Sequence, residues 1–375
     1  MRVAIVHDWL TGMRGGEKVL RSICRCFPHA DLLTLLHVPG SCCDEIERMR
    51  IRTSWLDDLP AVERYYRNLL PAMPQAIEAF ETEQYDLVLS SSHCVAKGVL
   101  RRPGSLHICY CHSPMRYVWS QDAAYHRTLG LKGVLLRLIR GYLRAWDRRS
   151  ATHVNHFIAN SANVAGRIAR TYRREAEVVY PPIDTDFFRP TDVEREDFYL
   201  MVSAMAPYKR VDHAIEAFAS LGTPLVVIGS GQQYDKLSRL APANVKLMGW
   251  QDDEVVRDHY RRCRALIFPG EEDFGMVPLE AMACGAPVIA YGAGGALETV
   301  RCINTVSSRP TGLCYRPQTT QALVEAIVEF EQHAGQFDHG HVVQWAQGFG
   351  EHVFDENYRS VVNRLLAERG MGEQC

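Results

Sequence analysis

The sequence predicts an α/β protein of two parallel-sheet domains, and three observations carry that prediction. Strand-like apolar runs alternate with helical periodicity almost from end to end, the pattern of parallel sheets covered by helices on both faces. At 375 residues the chain exceeds one ordinary core and suits two domains of average size. Pro181 and Pro182 interrupt the alternation near its middle, because proline lacks an amide N–H and restricts the residue before it. Residues 1–180 and 181–350 are therefore expected to form two Rossmann-like domains facing across a cleft. The last helical stretch, 351–369, has no strand after it and is expected to pack back on the first domain.

Short apolar runs bounded by turn-forming residues mark the strands. In the first half they are Val3–Asp8, Leu32–Leu36, Leu87–Ser91, His107–Cys111 and Phe157–Asn160. In the second half they are Phe198–Ser203, Leu225–Gly229, Val245–Gly249, Ala265–Pro269, Val288–Tyr291 and Gly312–Tyr315.

Composition narrows the class. Hydrophobic content of 47% and charged content of 23% are those of a soluble globular protein, and no apolar run approaches the roughly 20 residues that span a bilayer. The opening MRVAIVHDWL reads as a buried strand rather than a secretory signal, since Asp8 interrupts the apolar run and no cleavage site follows. Twelve cysteines without such a signal point to a reducing cytosol and free thiols. The net charge of −2 hides an asymmetry: residues 1–180 carry 25 Lys and Arg against 17 Asp and Glu, residues 181–375 carry 17 against 27. The basic half suits an anionic surface or a phosphate-bearing acceptor; nucleic acid is not among the expected partners.

The most informative segment is LIFPGEEDFGMVPLEAMACGAPVIAYGAGGALETV, residues 266–300. It reads as strand, turn (Gly270–Gly275), helix (Met276–Cys284) and strand, so the turn sits at a strand's carboxyl end, where parallel sheets bind ligands. The N–H groups of Gly275, Met276 and Val277 are unpaired at the helix start and suit a diphosphate, and Pro278 is tolerated there because a first-turn N–H has no acceptor. Glu280, placed in the first turn, suits vicinal hydroxyls such as those of a ribose, and Glu272, in the loop, suits a sugar beyond the phosphates. The plainer alternative makes both ordinary acids at the positive end of a helix. Gly294 and Gly295 after the next strand are expected to let backbone approach a ligand closely.

Other segments add candidates. Lys209 and Arg210, in MVSAMAPYKRVDHAIEAFA, stand at a helix start where the dipole disfavours cations, and a diphosphate clamp explains them better than solvation does. Gly15 and Gly16 form a glycine turn after the first strand but no GxGxxG fingerprint, which removes the main support for a dinucleotide oxidoreductase. His112 and Arg116, in CYCHSPMRYVW, follow a buried strand. His112 could touch a reacting hydroxyl or phosphate, or be a core histidine, and zinc on Cys109, Cys111 and His112 lacks a second ligand pair. Asp184 and Asp186 imitate a DxD metal motif but follow the linker prolines, so turn chemistry accounts for them. From Leu129 to Arg149 an amphipathic helix puts Arg137, Arg140, Arg144 and Arg148 opposite Leu131, Leu135, Leu138, Tyr142 and Trp146. It is either a surface helix or a peripheral membrane contact through 129–149.

With these pieces in place the chain resembles the retaining glycosyltransferases of family GT4, of GT-B fold. The resemblance rests on Glu272 and Glu280 in EDFGMVPLEAMACGAPVIA, then GGALE, with YKRVDHAIEAF, FIANS and VVYPPIDTDFF in support. HSPMRYVW and HDWLTGMRGGEKVL look most like the mannosyltransferase-like branch that builds bacterial lipid-linked polysaccharides. It implies a nucleoside-diphosphate sugar, GDP-mannose favoured, in the second domain and a lipid-linked saccharide acceptor in the first, with no cofactor and no metal. By position, Glu280 would bind the ribose and Glu272 the donor sugar as a catalytic group. Lys209 and Arg210 would bind the diphosphate, Gly16 and the Phe274–Val277 loop would contact the donor, and His112 with Arg116 would serve the acceptor side. Many members carry an arginine shortly before the lysine; here it is Ala204. Retention in this family is described as front-face displacement, the departing phosphate helping to remove the acceptor proton. The alternatives are a UDP-sugar donor, a sugar-nucleotide epimerase of the same fold, and a non-catalytic sugar-nucleotide or glycan-binding subunit. The expected location is cytoplasmic, peripheral on the inner face of the membrane.

Overall fold

The computed structural model describes residues 1–119, 131–305 and 308–371. The chain divides into two compact units, Met1–Pro182 with Phe354–Cys375, and Ile183–Val353. In the first unit β1 (Val3–His7), β2 (Asp31–Thr34), β3 (Arg50–Thr53), β4 (Leu87–Ser92), β5 (Leu106–Cys111), β6 (His156–Ala159) and β7 (Glu177–Val178) form a sheet in the order β3-β2-β1-β4-β5-β6-β7. In the second, β8 (Tyr199–Val202), β9 (Leu225–Ile228), β10 (Val245–Gly249), β11 (Leu266–Phe268), β12 (Val288–Tyr291) and β13 (Gly312–Tyr315) lie in the order β10-β9-β8-β11-β12-β13. Every pairing is parallel. Each unit is thus Rossmann-like, wound outward from its first strand in both directions. The reversal points, β1/β4 and β8/β11, open crevices at the strands' carboxyl ends.

Alternation along the buried strands fills a core on both faces of each sheet. In β1, Ile5 joins one cluster while Ala4 and Val6 join the other; in β8, Leu200 faces one side and Tyr199 and Met201 the other. The last helix, Glu351–Ala367, buries Phe354, Tyr358, Val361, Val362 and Leu365 in the Ile5 cluster of the first unit, one apolar stripe at helical spacing. Two strands carried no apolar run: β3 is RIRT at the sheet edge with Arg50 exposed, and β7 has two residues.

The helix Leu131–Ser150 corrects the expected arrangement. Leu129, and the side chains of Leu131 and Leu135, lie outside the described residues. The buried residues are Leu143, Trp146, Asp147 and Ser150, whereas Leu138 is 66% and Tyr142 49% exposed. Arg140 and Arg144 donate to the Val118 carbonyl at 3.2 and 2.8 Å, and Arg144 and Arg148 stack over Trp119. A buried ion pair causes the rotation. Lys97, in the turn after β4, lies 2.5 Å from the Asp147 carboxylate, with side chains 2% and 0% exposed. Trp119 and Tyr172 donate to the second carboxylate oxygen at 2.7 and 2.9 Å, so the charge is fully compensated.

The cysteines bring a second correction. Cys302 and Cys314 are joined as a disulfide rather than free, while Cys24, Cys26, Cys42, Cys43, Cys94, Cys109, Cys111, Cys263 and Cys284 are thiols. Among the described residues no helix is long and apolar enough to cross a membrane.

Removing Lys97 would leave Asp147 as an uncompensated buried charge. Lys97→Met should therefore lower stability by about 3–5 kcal/mol in denaturant unfolding; a loss below about 1 kcal/mol would mean the pair behaves as a solvated one.

Candidate active site

In the second unit the loops following β8, β11 and β12 converge at the reversal point. The first runs from Ser203 through the turn Pro207–Lys209 to the helix Val211–Leu221. The second, Pro269–Gly275, leads into the helix Met276–Ala283, with Gly275 at φ +93° as its cap. Glycines let these loops pack backbone on backbone. A Cβ on Gly270 would stand 3.0 Å from Lys209 Cα, and one on Gly295 only 2.2 Å from Phe274 Cα. Gly294 pairs with Glu272 as an isolated bridge, and Gly295 N–H donates to the Glu272 carbonyl at 2.9 Å. This corrects the expectation for Gly294 and Gly295: the close approach they permit is to the Glu272–Phe274 backbone.

The side chains follow from those loops. Lys209 Nζ is hydrogen-bonded to Glu272 Oε1, with the two side chains 15% and 20% exposed. Glu280 is the fifth residue of its helix, not a first-turn acid as expected; it is buried and receives the Tyr260 hydroxyl at 3.4 Å. Burial and the nearby Glu280 push the Tyr260 hydroxyl well up, so it stays protonated and able to donate. Phe274 is buried in the core of this unit, so only its backbone is available to a ligand, and Met276 and Val277 are half-buried against that core. Arg210 adopts φ +55° and sets its guanidinium on Asp212 by two hydrogen bonds of 3.0 Å, with a third to His213. It is thereby engaged by its own helix. At Ala204 the backbone carbonyl accepts the Ser203 hydroxyl at 3.1 Å. Asp184 caps its own turn, accepting Phe187 N–H at 2.9 Å.

In the first unit Gly15 and Gly16 open the helix Gly15–Cys26, and Gly16 lies beside His112: a Cβ there would be 3.9 Å from His112 Nε2 and 3.8 Å from His7 Cε1. His112 follows β5 and is hydrogen-bonded to Ser91 Oγ at 2.9 Å, which also bonds His7 Nδ1 at 3.2 Å. His7 Nε2 stands 3.6 Å from Glu17, whose other oxygen accepts the Arg14 backbone N–H at 3.0 Å. Burial, then the neighbouring His93 and His7, push His112 down to about 3, so it is neutral. Arg116 opens the helical turn Arg116–Trp119.

Sequence reasoning missed Tyr260, His7, Ser91, Glu17, His93 and the role of Asp8. The visible signal was polar residues at strand ends: Asp8 closing an apolar run, and SSSH closing β4.

Each unit thus carries a crevice at the carboxyl ends of its strands, the place where folds of this kind bind ligands, and the second holds the Lys209–Glu272 pair. Two family models match in tandem, "Glycosyltransferase Family 4" over residues 13–187 and "Glycosyl transferases group 1" over residues 182–337. The chain belongs to glycosyltransferase family 4. It is 30% identical over 173 residues to the uncharacterized glycosyltransferase MJ1178 of Methanocaldococcus jannaschii, covering 44% of this chain and 48% of that one; the match spans about half the length of that relative. It is 23% identical over 352 residues to the alpha-1,3/1,6-mannosyltransferase ALG2 of Kluyveromyces lactis, covering 77% and 68%. Among solved structures, Anabaena Alr3699/HepE in complex with UDP superposes with a TM-score of 0.70 at 16% identity over 96% of this chain and 99% of that one. Sucrose-phosphate synthase from Thermosynechococcus elongatus reaches 0.75 at 16% over 98% and 100%. At such identities they show the fold.

The glycine contacts give a contrast. Gly295→Ala must displace backbone and should cost about 1–3 kcal/mol in unfolding, whereas Gly16→Ala meets only ordinary contacts and should leave stability unchanged or raise it. Equal effects would mean the Phe274 backbone yields freely.

Proposed function

We propose that the chain is a retaining glycosyltransferase that transfers mannose from GDP-mannose to a lipid-linked saccharide in bacterial polysaccharide synthesis. The observation that carries the reading is the pair Lys209–Glu272, brought together by the two loops of one reversal point, with Glu280 buried on Tyr260 in the helix that follows. The mannosyltransferase relative supports the sugar. In this reading Lys209 exchanges the Glu272 carboxylate for the donor's diphosphate, a stronger charge-assisted partner. Glu272, so released, orients the sugar as positive charge develops at its anomeric carbon, and Glu280 holds the ribose. The chemistry needs position and fixed charge rather than a metal. A UDP-sugar donor is the second reading, favoured by the UDP complex of the Anabaena protein. Retention of Lys209, Glu272 and Glu280 together counts against a non-catalytic binding subunit.

Thermal stabilisation of the purified protein by GDP, UDP, ADP and their sugar conjugates, without and with magnesium, tests this. A shift with GDP and GDP-mannose alone, independent of magnesium and lost in Lys209→Ala, is expected. A UDP-selective shift overturns the mannose donor, and no shift with any nucleotide overturns the enzyme.

We also propose that Leu138 and Tyr142, exposed on a helix rich in arginine, touch an anionic leaflet where the acceptor resides. Vesicles containing anionic lipid should recruit the protein, and added salt should release it. The double variant Leu138→Glu, Tyr142→Glu should stay in solution. Equal partitioning of wild type to neutral vesicles would refute the contact.

A further inference from the structure

Glu280 belongs to the helix Met276–Ala283, and a donor to its carboxylate comes from a different helix of the same unit, Asp253–Arg262. Tyr260 is wholly buried there, and its hydroxyl donates to Glu280 Oε2 at 3.4 Å, with Glu280 itself buried. The tyrosine ring stands edge-on to Phe188, 5.9 Å away between ring centres, which limits where the hydroxyl can point. A carboxylate offers about four lone-pair directions, and a fixed donor on one oxygen sets the plane in which all of them lie.

A cation at the carboxyl ends of both helices sets Tyr260 against Glu280. Arg195, just before β8, donates through Nη1 to the carbonyls of Tyr260 and Cys263 at 3.2 and 2.6 Å, and through Nη2 to the Cys284 carbonyl at 3.1 Å. Tyr260 lies in the last turn of its helix, and Cys263 and Cys284 are the residues that end the two helices. Carbonyls at these positions have no acceptor role inside their own helix, and a positive charge where two helices end is favoured by both dipoles. A Cβ on Gly285 would stand 2.8 Å from Arg195 Nη2, so the absence of a side chain there gives the cation its access. One guanidinium thus ties the ends of the two helices together and holds them in the register that brings Tyr260 to Glu280.

We propose that Tyr260 is a positioning residue for ribose recognition, holding the Glu280 carboxylate in the orientation that receives two vicinal hydroxyls of the donor nucleotide, with Arg195 fixing the helix that carries it. The inference rests on the glycosyltransferase reading above, in which Glu280 holds the ribose. Tyr260 touches no substrate in this arrangement and acts through Glu280. Burial, then the neighbouring Glu280, keep its hydroxyl protonated, so the hydrogen bond runs one way, from tyrosine to carboxylate. A carboxylate already oriented in the empty site loses less rotational freedom when the diol arrives, and the nucleotide binds more tightly for it.

The test uses the full chain with GDP or UDP, whichever binds wild type more tightly, and the 2′,3′-dideoxy form of the same nucleotide, in wild type and in Tyr260→Phe. The variant keeps the ring and loses only the hydroxyl. Wild type should prefer the nucleotide to its dideoxy form in calorimetry, and Tyr260→Phe should weaken the nucleotide by about tenfold while leaving the dideoxy affinity unchanged. In turnover the loss should fall on donor KM rather than kcat, since ribose contacts are alike in ground and transition states. If Tyr260→Phe keeps the wild-type preference, the inference falls and the glycosyltransferase reading stands. Equal weakening of both nucleotides would make Tyr260 merely structural and also overturn the proposal. A wild type that does not distinguish the two would remove the ribose from Glu280 and the inference with it, and failure of every nucleotide to bind would overturn the glycosyltransferase reading as well.

Discussion

Both sheets are wound in two directions from their first strand, and the chemistry of the molecule depends on that single constraint. Where the order reverses, the connections of adjacent strands leave toward opposite faces, so nothing covers the carboxyl ends between them. In the first unit the reversal joins β1 to β4 and places Asp8 beside the backbone of residues 93–96. In the second it joins β8 to β11 and places Lys209 beside Glu272. Each crevice is therefore lined by loops distant in sequence, tied together in the first unit by the contacts of Asp8 and in the second by the Lys209–Glu272 pair.

Those contacts differ in kind. Asp8 acts as a cap: its charge is taken up by four backbone donors, which fixes the loop and leaves His93 with an obligatory partner. Such a carboxylate is expensive to bury and is stable only because every lone pair is used. Lys97 and Asp147 follow the same rule deeper in that unit, where Trp119 and Tyr172 complete the carboxylate's contacts. That satisfied network decides which face of the helix Leu131–Ser150 turns inward, overriding the apolar stripe that leaves Leu138 and Tyr142 in solvent.

Most of the fold was legible because buried parallel strands are nearly continuous apolar runs. The strand order was not, since nothing local in β1 says which neighbour it takes, and the RIRT edge strand reads like a surface loop. The helix face was misread because a buried Asp and Ser break the apolar periodicity on which the reading relied. Glu272, Glu280 and Lys209 were legible as residue types around a helix start. Their geometry was not: the glycine pair Gly294–Gly295 looked like a ligand loop, whereas it accommodates the Glu272–Phe274 turn. Asp8 was visible only as an interruption of a strand. Its function as an acceptor for residues some 85 positions away is a long-range fact that no window of sequence contains.

If the proposed donor site is right, the Lys209–Glu272 bond explains how opposite charges can share it without either being wasted. With side chains only partly exposed, each charge would be costly to leave unpaired, and the mutual bond removes that cost in this structure. A diphosphate offers Lys209 more negative charge and more acceptor oxygens than one carboxylate does, so exchange of partners can proceed without a stage at which the lysine is bare. In the proposed reading, Glu272 would then lose its cation at the moment a positively charged anomeric centre needs a counter-charge. In that proposed reading, coupling the two events through one hydrogen bond would make the acid's availability conditional on the phosphate's presence, a form of preorganisation that neither residue supplies alone.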